Sequence, residues 1–311
     1  MGFGEIVAQM LVVSLPIALG WCIGRLGLLS RSFERELSAL LLDVAMPCLI
    51  VSSVFGRVDL PDMPSTLILM GSNVVAYAVA IALAFGLTWF MRAPRGERAS
   101  YRFAVIFGNA GFIGFAVIMA MLGERALVYA AVALVPINFF MFTIGRMLFT
   151  GLDGGCGKIA CDLIDCCKSP TMVASYVVLA CLMTGWTDWG FVGESISLVG
   201  QMTTPSALLL MGASIAHHRI SEMVGNPRAY IAAFGRLLLV PLAVMAVLGI
   251  LHVPPFIISV VVIGCAMPVA TNGTLYAIQY DTDARSMMQG TFLSIVASVV
   301  TIPFVAMMLP V

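Results

Sequence analysis

Two polar residues stand four positions ahead of a proline in this chain: Asp43 before Pro47, and Gln201 before Pro205. Proline has no N–H, so neither proline can donate the helical hydrogen bond that would engage the carbonyl of residue 43 or 201. Each place therefore pairs a polar side chain with a freed carbonyl oxygen, and a hard cation binds an all-oxygen shell. Asp43 can alternatively carry a proton, because desolvation favours the neutral carboxyl. A third reading is structural, a carboxyl reaching an interface or bonding a neighbouring helix. Two apolar runs are interrupted by helix breakers and polar residues: Gly108-Asn109-Ala110-Gly111-Phe112-Ile113-Gly114, and Met267-Pro268-Val269-Ala270-Thr271-Asn272-Gly273-Thr274. The N–H groups that open a half-helix after such a break carry partial positive charge and bind anions without a lysine or arginine. Asn109, Thr271, Asn272 and Thr274 can add hydrogen bonds there, while Gly111, Gly114 and Gly273 weaken the helix. Asn138, just after Pro136, faces the same cavity or makes an interhelical contact. Close helix packing through small residues is the structural alternative for both interrupted runs.

The elements that position these residues must lie in a membrane. Of 311 residues 61% are hydrophobic and only 10% charged, with a mean hydropathy of +1.04, far from the composition of a soluble domain. A bilayer core needs about 20 apolar residues per helix. Ten such stretches fit, at 3 to 24, 36 to 55, 65 to 91, 101 to 122, 126 to 149, 169 to 187, 191 to 215, 228 to 250, 255 to 279 and 286 to 309. The first carries Glu5 and no basic residue ahead of its apolar run, the reverse of a cleavable signal. Basic residues set the orientation. Odd-numbered connections hold thirteen Lys and Arg, among them Arg92, Arg95, Arg98 and Arg102, whereas even-numbered ones hold only Arg57 and Arg125. Odd connections are therefore cytoplasmic, and both termini lie outside a cell (plasma or inner) membrane. Trp21, Trp89, Trp186 and Trp189 all fall near span ends, as an interfacial aromatic belt requires. Formal charge balances to zero, which removes the basic footprint of a nucleic-acid binder.

An offset of 158 residues relates the two halves, placing Pro47 on Pro205, Asp43 on Gln201 and Gly114 on Asn272. Residues 1–150 and 169–311 then form two five-span repeats joined by a cytoplasmic loop at 151–168. Five is odd, so the second repeat runs through the membrane inverted. The fold expected is an all-α membrane protein of ten transmembrane helices in two inverted repeats. Helices four and nine are broken, non-helical near 109–114 and 269–274, and approach each other at mid-membrane.

Other polar groups read as structural. Arg236, deep in the eighth span, can snorkel or pair with an acid. His217 and His218, beside Arg219, are interfacial. Cys156, Cys161, Cys166 and Cys167 share the long loop with Asp162 and Asp165, but without paired knuckles or histidines they are free thiols rather than a metal site. No phosphate-binding loop for ATP occurs, and no metalloprotease motif, so neither a primary pump nor an enzyme is expected. A channel would need a pore signature that the chain lacks.

These residues resemble the auxin efflux carrier family, of the bile acid, arsenite and riboflavin transporter superfamily. The likeness rests on Leu15-Pro16-Ile17 with Gly24-Arg25-Leu26-Gly27, on Ala45-Met46-Pro47 and on Asn109-Ala110-Gly111-Phe112-Ile113-Gly114. In the second half it rests on Pro205-Ser206-Ala207-Leu208-Leu209-Leu210-Met211-Gly212, Arg236 with Pro241, and Ala266-Met267-Pro268 followed by Tyr280-Asp281. The resemblance implies a ten-span secondary carrier whose broken helices four and nine cross, moving small organic anions such as auxin in plants or malonate-like dicarboxylates in bacteria, and the short central loop is of the bacterial kind. The family's crossover prolines would fall at Ala116 and near Gly273, so the breaks here rely on glycine and asparagine. The expected function is alternating-access transport of a carboxylate coupled to Na+ or H+, with no other cofactor. An uncoupled uniporter or a channel for small anions is the alternative. Its partners are the anion and membrane lipid, and a homodimer is compatible with it.

The charge bias makes a direct prediction. A cysteine placed at the C-terminus should react with a membrane-impermeant thiol reagent in intact cells, and protection until lysis would reverse the orientation.

Overall fold

The computed structural model describes residues 15–55, 61–150, 164, 167–216, 223–270 and 272–310. It is helical throughout these residues apart from turns and one isolated backbone bridge. In chain order the helices are α1 (residues 15–25), α2 (Arg31–Leu40), α3 (Met46–Ser52), α4 (Met63–Phe90), α5 (Arg98–Ile106), α6 (Phe115–Leu122), α7 (Arg125–Phe140) and α8 (Arg146–Thr150). There follow α9 (Pro170–Thr184), α10 (Gly190–Gln201), α11 (Thr203–Ala216), α12 (Pro227–Phe234), α13 (Val240–Ile250), α14 (Pro255–Ala266), α15 (Asn272–Gln279) and α16 (Ala284–Met307). Among the described residues there are four π-helical turns: Leu41–Ala45, Met141–Gly145 and Gly235–Leu239 splice consecutive helices, and Ala110–Gly114 leads into α6. Helix falls within each of the ten apolar stretches. Four continuous segments, Met63–Phe90, Arg125–Thr150, Pro227–Ile250 and Ala284–Met307, are long and apolar enough to cross a membrane.

Local chemistry sets the helix ends. Pro170, Pro227 and Pro255 open their helices, where a missing N–H is harmless. Asn226 and Asp283 cap α12 and α16 by accepting the amides of Arg228 and Ser286, each at 3.1 Å. Gly185 closes α9 in the left-handed conformation, at φ +70°. Two of the π turns have a common origin: Pro47 and Pro241 each follow a π turn by two residues. Each proline removes one α-helical donor, and the chain takes up the slack one residue earlier, with Met46 N–H donating to Leu41 O and Val240 N–H to Gly235 O.

The chain forms two compact units, each drawn from both halves of the sequence. One comprises residues 1–70, 111–135 and 167–218, and the other 71–110, 136–166 and 219–311. In the first unit, α1 and α11 meet through small residues. A side chain at Gly20 would strike the carbonyl of Leu209, one at Gly212 the carbonyl of Ile17, and one at Gly24 would lie 2.8 Å from the Ala216 methyl. Gly200 likewise faces the backbone of Leu49, 2.8 Å from a built Cβ, and Leu41, Ala45 and Ala207 form a buried apolar cluster. In lipid such close contact holds helices together through dispersion rather than solvent exclusion.

The second unit has an aromatic centre. Tyr77 stacks on Phe140 at 4.9 Å between ring centroids, Phe103 lies 4.8 Å from Phe107, and Tyr276 meets Phe103 edge-on at 5.9 Å. At the N-terminal ends of α5, α12 and α16 a polar cluster joins the helices. Asn226 Nδ2 donates to Tyr101 Oη at 2.8 Å and to Gln289 Oε1 at 2.9 Å, and Ser100 Oγ donates to Asp283 O at 2.7 Å.

Glycine contacts of this kind predict a split response to one methyl group. Gly212→Ala should lower the melting temperature of the detergent-solubilised protein by several degrees, overpacking being worth roughly 1–3 kcal/mol. Gly71→Ala, with nothing within 4 Å of its Cβ, should leave it unchanged or raise it, because alanine favours helix by about 1 kcal/mol. Equal melting temperatures for wild type and Gly212→Ala would refute this account of the α1–α11 contact.

Candidate functional site

The second unit holds both helix interruptions. Helix α5 ends at Ile106 and α14 at Ala266, and the residues after each run extended, Phe107 at φ −109°, ψ 115° and Met267 at φ −66°, ψ 145°. The two extended pieces lie antiparallel and pair at Gly108 and Val269. Asn109 N–H donates to Pro268 O at 2.7 Å, and Ala270 N–H donates to Phe107 O at 3.0 Å. Val269 N–H turns the other way and donates to Ser294 Oγ of α16 at 3.0 Å. Three of the amides released by the interruptions are thus engaged, two by the opposite extended piece and one by a serine.

Carbonyls at the ends of α5 and α14 have a different partner. Arg236, only 3% exposed, enters from the π turn Gly235–Leu239. Its Nε donates to Met267 O at 3.0 Å, Nη1 to Ile106 O at 2.8 Å and to Val105 O at 3.5 Å, and Nη2 to Gly264 O at 3.1 Å. Gly108 leaves the room for this fork, since a Cβ there would collide with the guanidinium nitrogen Nη2. Arg236 was expected to snorkel or to pair with an acid. It does neither among the described residues, because helix-terminal carbonyls present the negative charge instead.

The interruptions lie a few residues earlier than the sequence suggested. Non-helical backbone was expected at 109–114 and 269–274. It occupies Phe107–Asn109 and Met267–Ala270, while Ala110–Gly114 is a π turn and Asn272 opens α15. The physical reason is twofold. Pro268 cannot extend α14, and the glycines taken as breakers serve packing. A Cβ on Gly273 would lie 2.5 Å from both Phe103 and Met287, and one on Gly111 would meet Met46 of its own unit. Neither glycine has a positive φ. Ala116, where the family resemblance puts a crossover proline, lies inside α6, two residues beyond its π turn.

Asn109, Asn138, Asn272 and Thr274 are all half-buried in the second unit. Asn109 adjoins Pro268 through the bridge, and Asn272 Nδ2 contacts Met141 Sδ at 3.2 Å. Gly111 and Gly114 belong to the first unit, as do Asp43 and Gln201. Asp43 is exposed in the π turn Leu41–Ala45, ahead of Pro47. Gln201 is exposed at the end of α10, with Nε2 3.5 Å from Ser197 Oγ, and Pro205 is the third residue of α11. Thr271, His217, His218, Cys156, Cys161 and Cys166 lie outside the described residues; Cys167 is an exposed free thiol. Among the described residues no three His, Cys, Asp or Glu side chains converge. Ser294 escaped the sequence reading, for a lone serine in an apolar run carries no signal until its partner amide is known.

Known proteins match this chain along nearly its whole length. The membrane transport protein family profile aligns with residues 5–158 and 161–306. An uncharacterized transporter of Escherichia coli, YfdV, is 23% identical over 305 residues, covering 96% of this chain and 95% of that protein. An uncharacterized transporter of Methanothermobacter thermautotrophicus is 25% identical over 313 residues, covering 97% of each. A putative malonate transporter of Rhizobium meliloti is 22% identical over 269 residues, covering 83% of each. With its apolar membrane-length helices and a profile match that spans both of its units, the chain belongs to the membrane transport protein family, the auxin efflux carriers.

Proposed function

We propose that this transporter is a secondary active carrier of a small organic anion, a carboxylate of the malonate class, working by alternating access in the cell membrane. Its ten spans form two inverted repeats, and the paired interruptions of the fourth and ninth are the crossing at which substrate binds. The observation that carries this reading is the backbone bridge between Gly108 and Val269. Transporters of inverted-repeat architecture bind substrate where discontinuous helices meet, and the half-helix N-termini there favour an anion. The Rhizobium relative, whose name is that of a malonate transporter, supports the substrate class.

In this reading Asn109, Asn138, Asn272 and Thr274 hydrogen-bond the carboxylates, joined by Thr271 and by the backbone at Gly273. The bridge already occupies the amides of Asn109 and Ala270, and Ser294 that of Val269. Side-chain amides and hydroxyls therefore carry the recognition of substrate in this reading, rather than the bridged backbone. Asp43 couples transport to Na+ or H+, next to a carbonyl that Pro47 cannot engage, and Gln201 is its neutral counterpart. A neutral amide offers an oxygen but carries no proton through a cycle.

Purified protein in proteoliposomes tests this. Wild type should exchange labelled malonate for internal malonate and accumulate it under an imposed sodium or proton gradient. Asn272→Ala should weaken malonate about tenfold or more, since a hydrogen bond to a charged group is worth roughly 1.5–3 kcal/mol. Asp43→Asn should retain exchange and lose gradient-driven accumulation. Absence of saturable exchange for every mono- and dicarboxylate tried would remove the anion reading, and full accumulation by Asp43→Asn would return Asp43 to a structural role.

A further inference from the structure

We infer that Arg236 is a positioning residue that clamps the two interrupted helices together and reverses the electrostatic sign of their meeting point, so that an anion is accepted there. The electrostatic half rests on the carboxylate reading above. Helices α5 and α14 both end at the interruption. Each exposes unpaired carbonyls and about half a negative charge. Two such ends bring roughly one negative charge to the place where a carboxylate is to bind, and left alone they would repel it. One guanidinium carries one positive charge, and its donors reach Val105 and Ile106 at the end of α5 and Gly264 and Met267 at the end of α14.

Charge and geometry act together. Arginine's planar fork offers five N–H donors in fixed directions, whereas lysine offers a point charge on a flexible stem. The nitrogens of Arg236 are each engaged by a backbone carbonyl, so substrate need not touch them. The π turn Gly235–Leu239 interrupts the helix where the side chain leaves it, and Gly108 removes the Cβ that would otherwise occupy the fork's place. With the C-terminal ends neutralised, the partial positive charge at the start of α15 is left uncancelled. The anion preference thus comes from a residue behind the site.

Three variants separate clamp from charge: Arg236→Gln removes the charge, Arg236→Lys keeps it without the fork, and Gly108→Ala keeps it but displaces the fork. Two readouts are needed on full-length protein in detergent: amide hydrogen exchange of peptides covering 105–110 and 264–270, and malonate affinity from ligand-dependent thermal shift. Exchange in both peptides should accelerate at least tenfold in Arg236→Gln and Gly108→Ala, and less in Arg236→Lys. Malonate affinity should fall more than tenfold in Arg236→Gln and stay within about threefold in Arg236→Lys. Unaltered protection in Arg236→Gln would overturn the clamp. If Arg236→Gln does not fold, Gly108→Ala decides the clamp and Arg236→Lys the charge. Loss of malonate binding in Arg236→Lys with unchanged exchange would make Arg236 a direct ligand and overturn the positioning role. Wild type that binds no malonate would refute the carboxylate reading and the electrostatic half with it, while the exchange measurement would still decide the clamp.

Discussion

Backbone that leaves the helix inside a bilayer has no water to turn to, and every N–H and C=O it releases must be satisfied by protein. The second unit meets that constraint in a divided way. The amides of Asn109 and Ala270 are matched to carbonyls of the opposite piece and that of Val269 to Ser294, and acceptors at the two preceding helix ends are gathered by Arg236. Each interruption therefore depends on the other. A single broken helix would leave half of these groups unpaired, which is a physical reason for the breaks to occur as a facing pair.

The same constraint explains the π turns. Pro47 and Pro241 each delete one donor from a helix that must otherwise remain continuous, and the preceding turn widens rather than breaking. At the second of these the widened turn carries Arg236, so one irregularity supplies the group that repairs two others.

Much of this arrangement could be read from residue order. Apolar run lengths located the helices, and Asn109 and Pro268 marked the interruptions to within a few residues. The four-residue spacing from Asp43 to Pro47 pointed to a disturbed helix, found as a π turn. What could not be read was the destination of each released group, because the carbonyls at Val105, Ile106, Gly264 and Met267 are identical to every other carbonyl until the fold brings a guanidinium to them. The packing role of Gly111 and Gly273 was hidden for a related reason. A glycine that loosens a backbone and one that admits a neighbouring side chain look alike in a sequence, and only the methyl of Met46 at Gly111 and the Phe103 ring and Met287 methyl at Gly273 reveal the second role. The composition of the two compact units was equally hidden, since each takes helices from both halves.

The glycine contact between α1 and α11 bears on how the chain is made. Gly20 and its partner Leu209 are separated by nearly two hundred residues. At about 5–20 residues per second of synthesis, the first helix waits on the order of 10 to 40 s before its partner emerges. Its glycine-bearing face is apolar, with Gly20, Ile17 and Gly24 presenting no side-chain polar group, so lipid can cover it meanwhile. Assembly of the α1–α11 contact is thereby set to the pace of the ribosome, with α1 held in readiness by the bare backbone at Gly20 and Gly24.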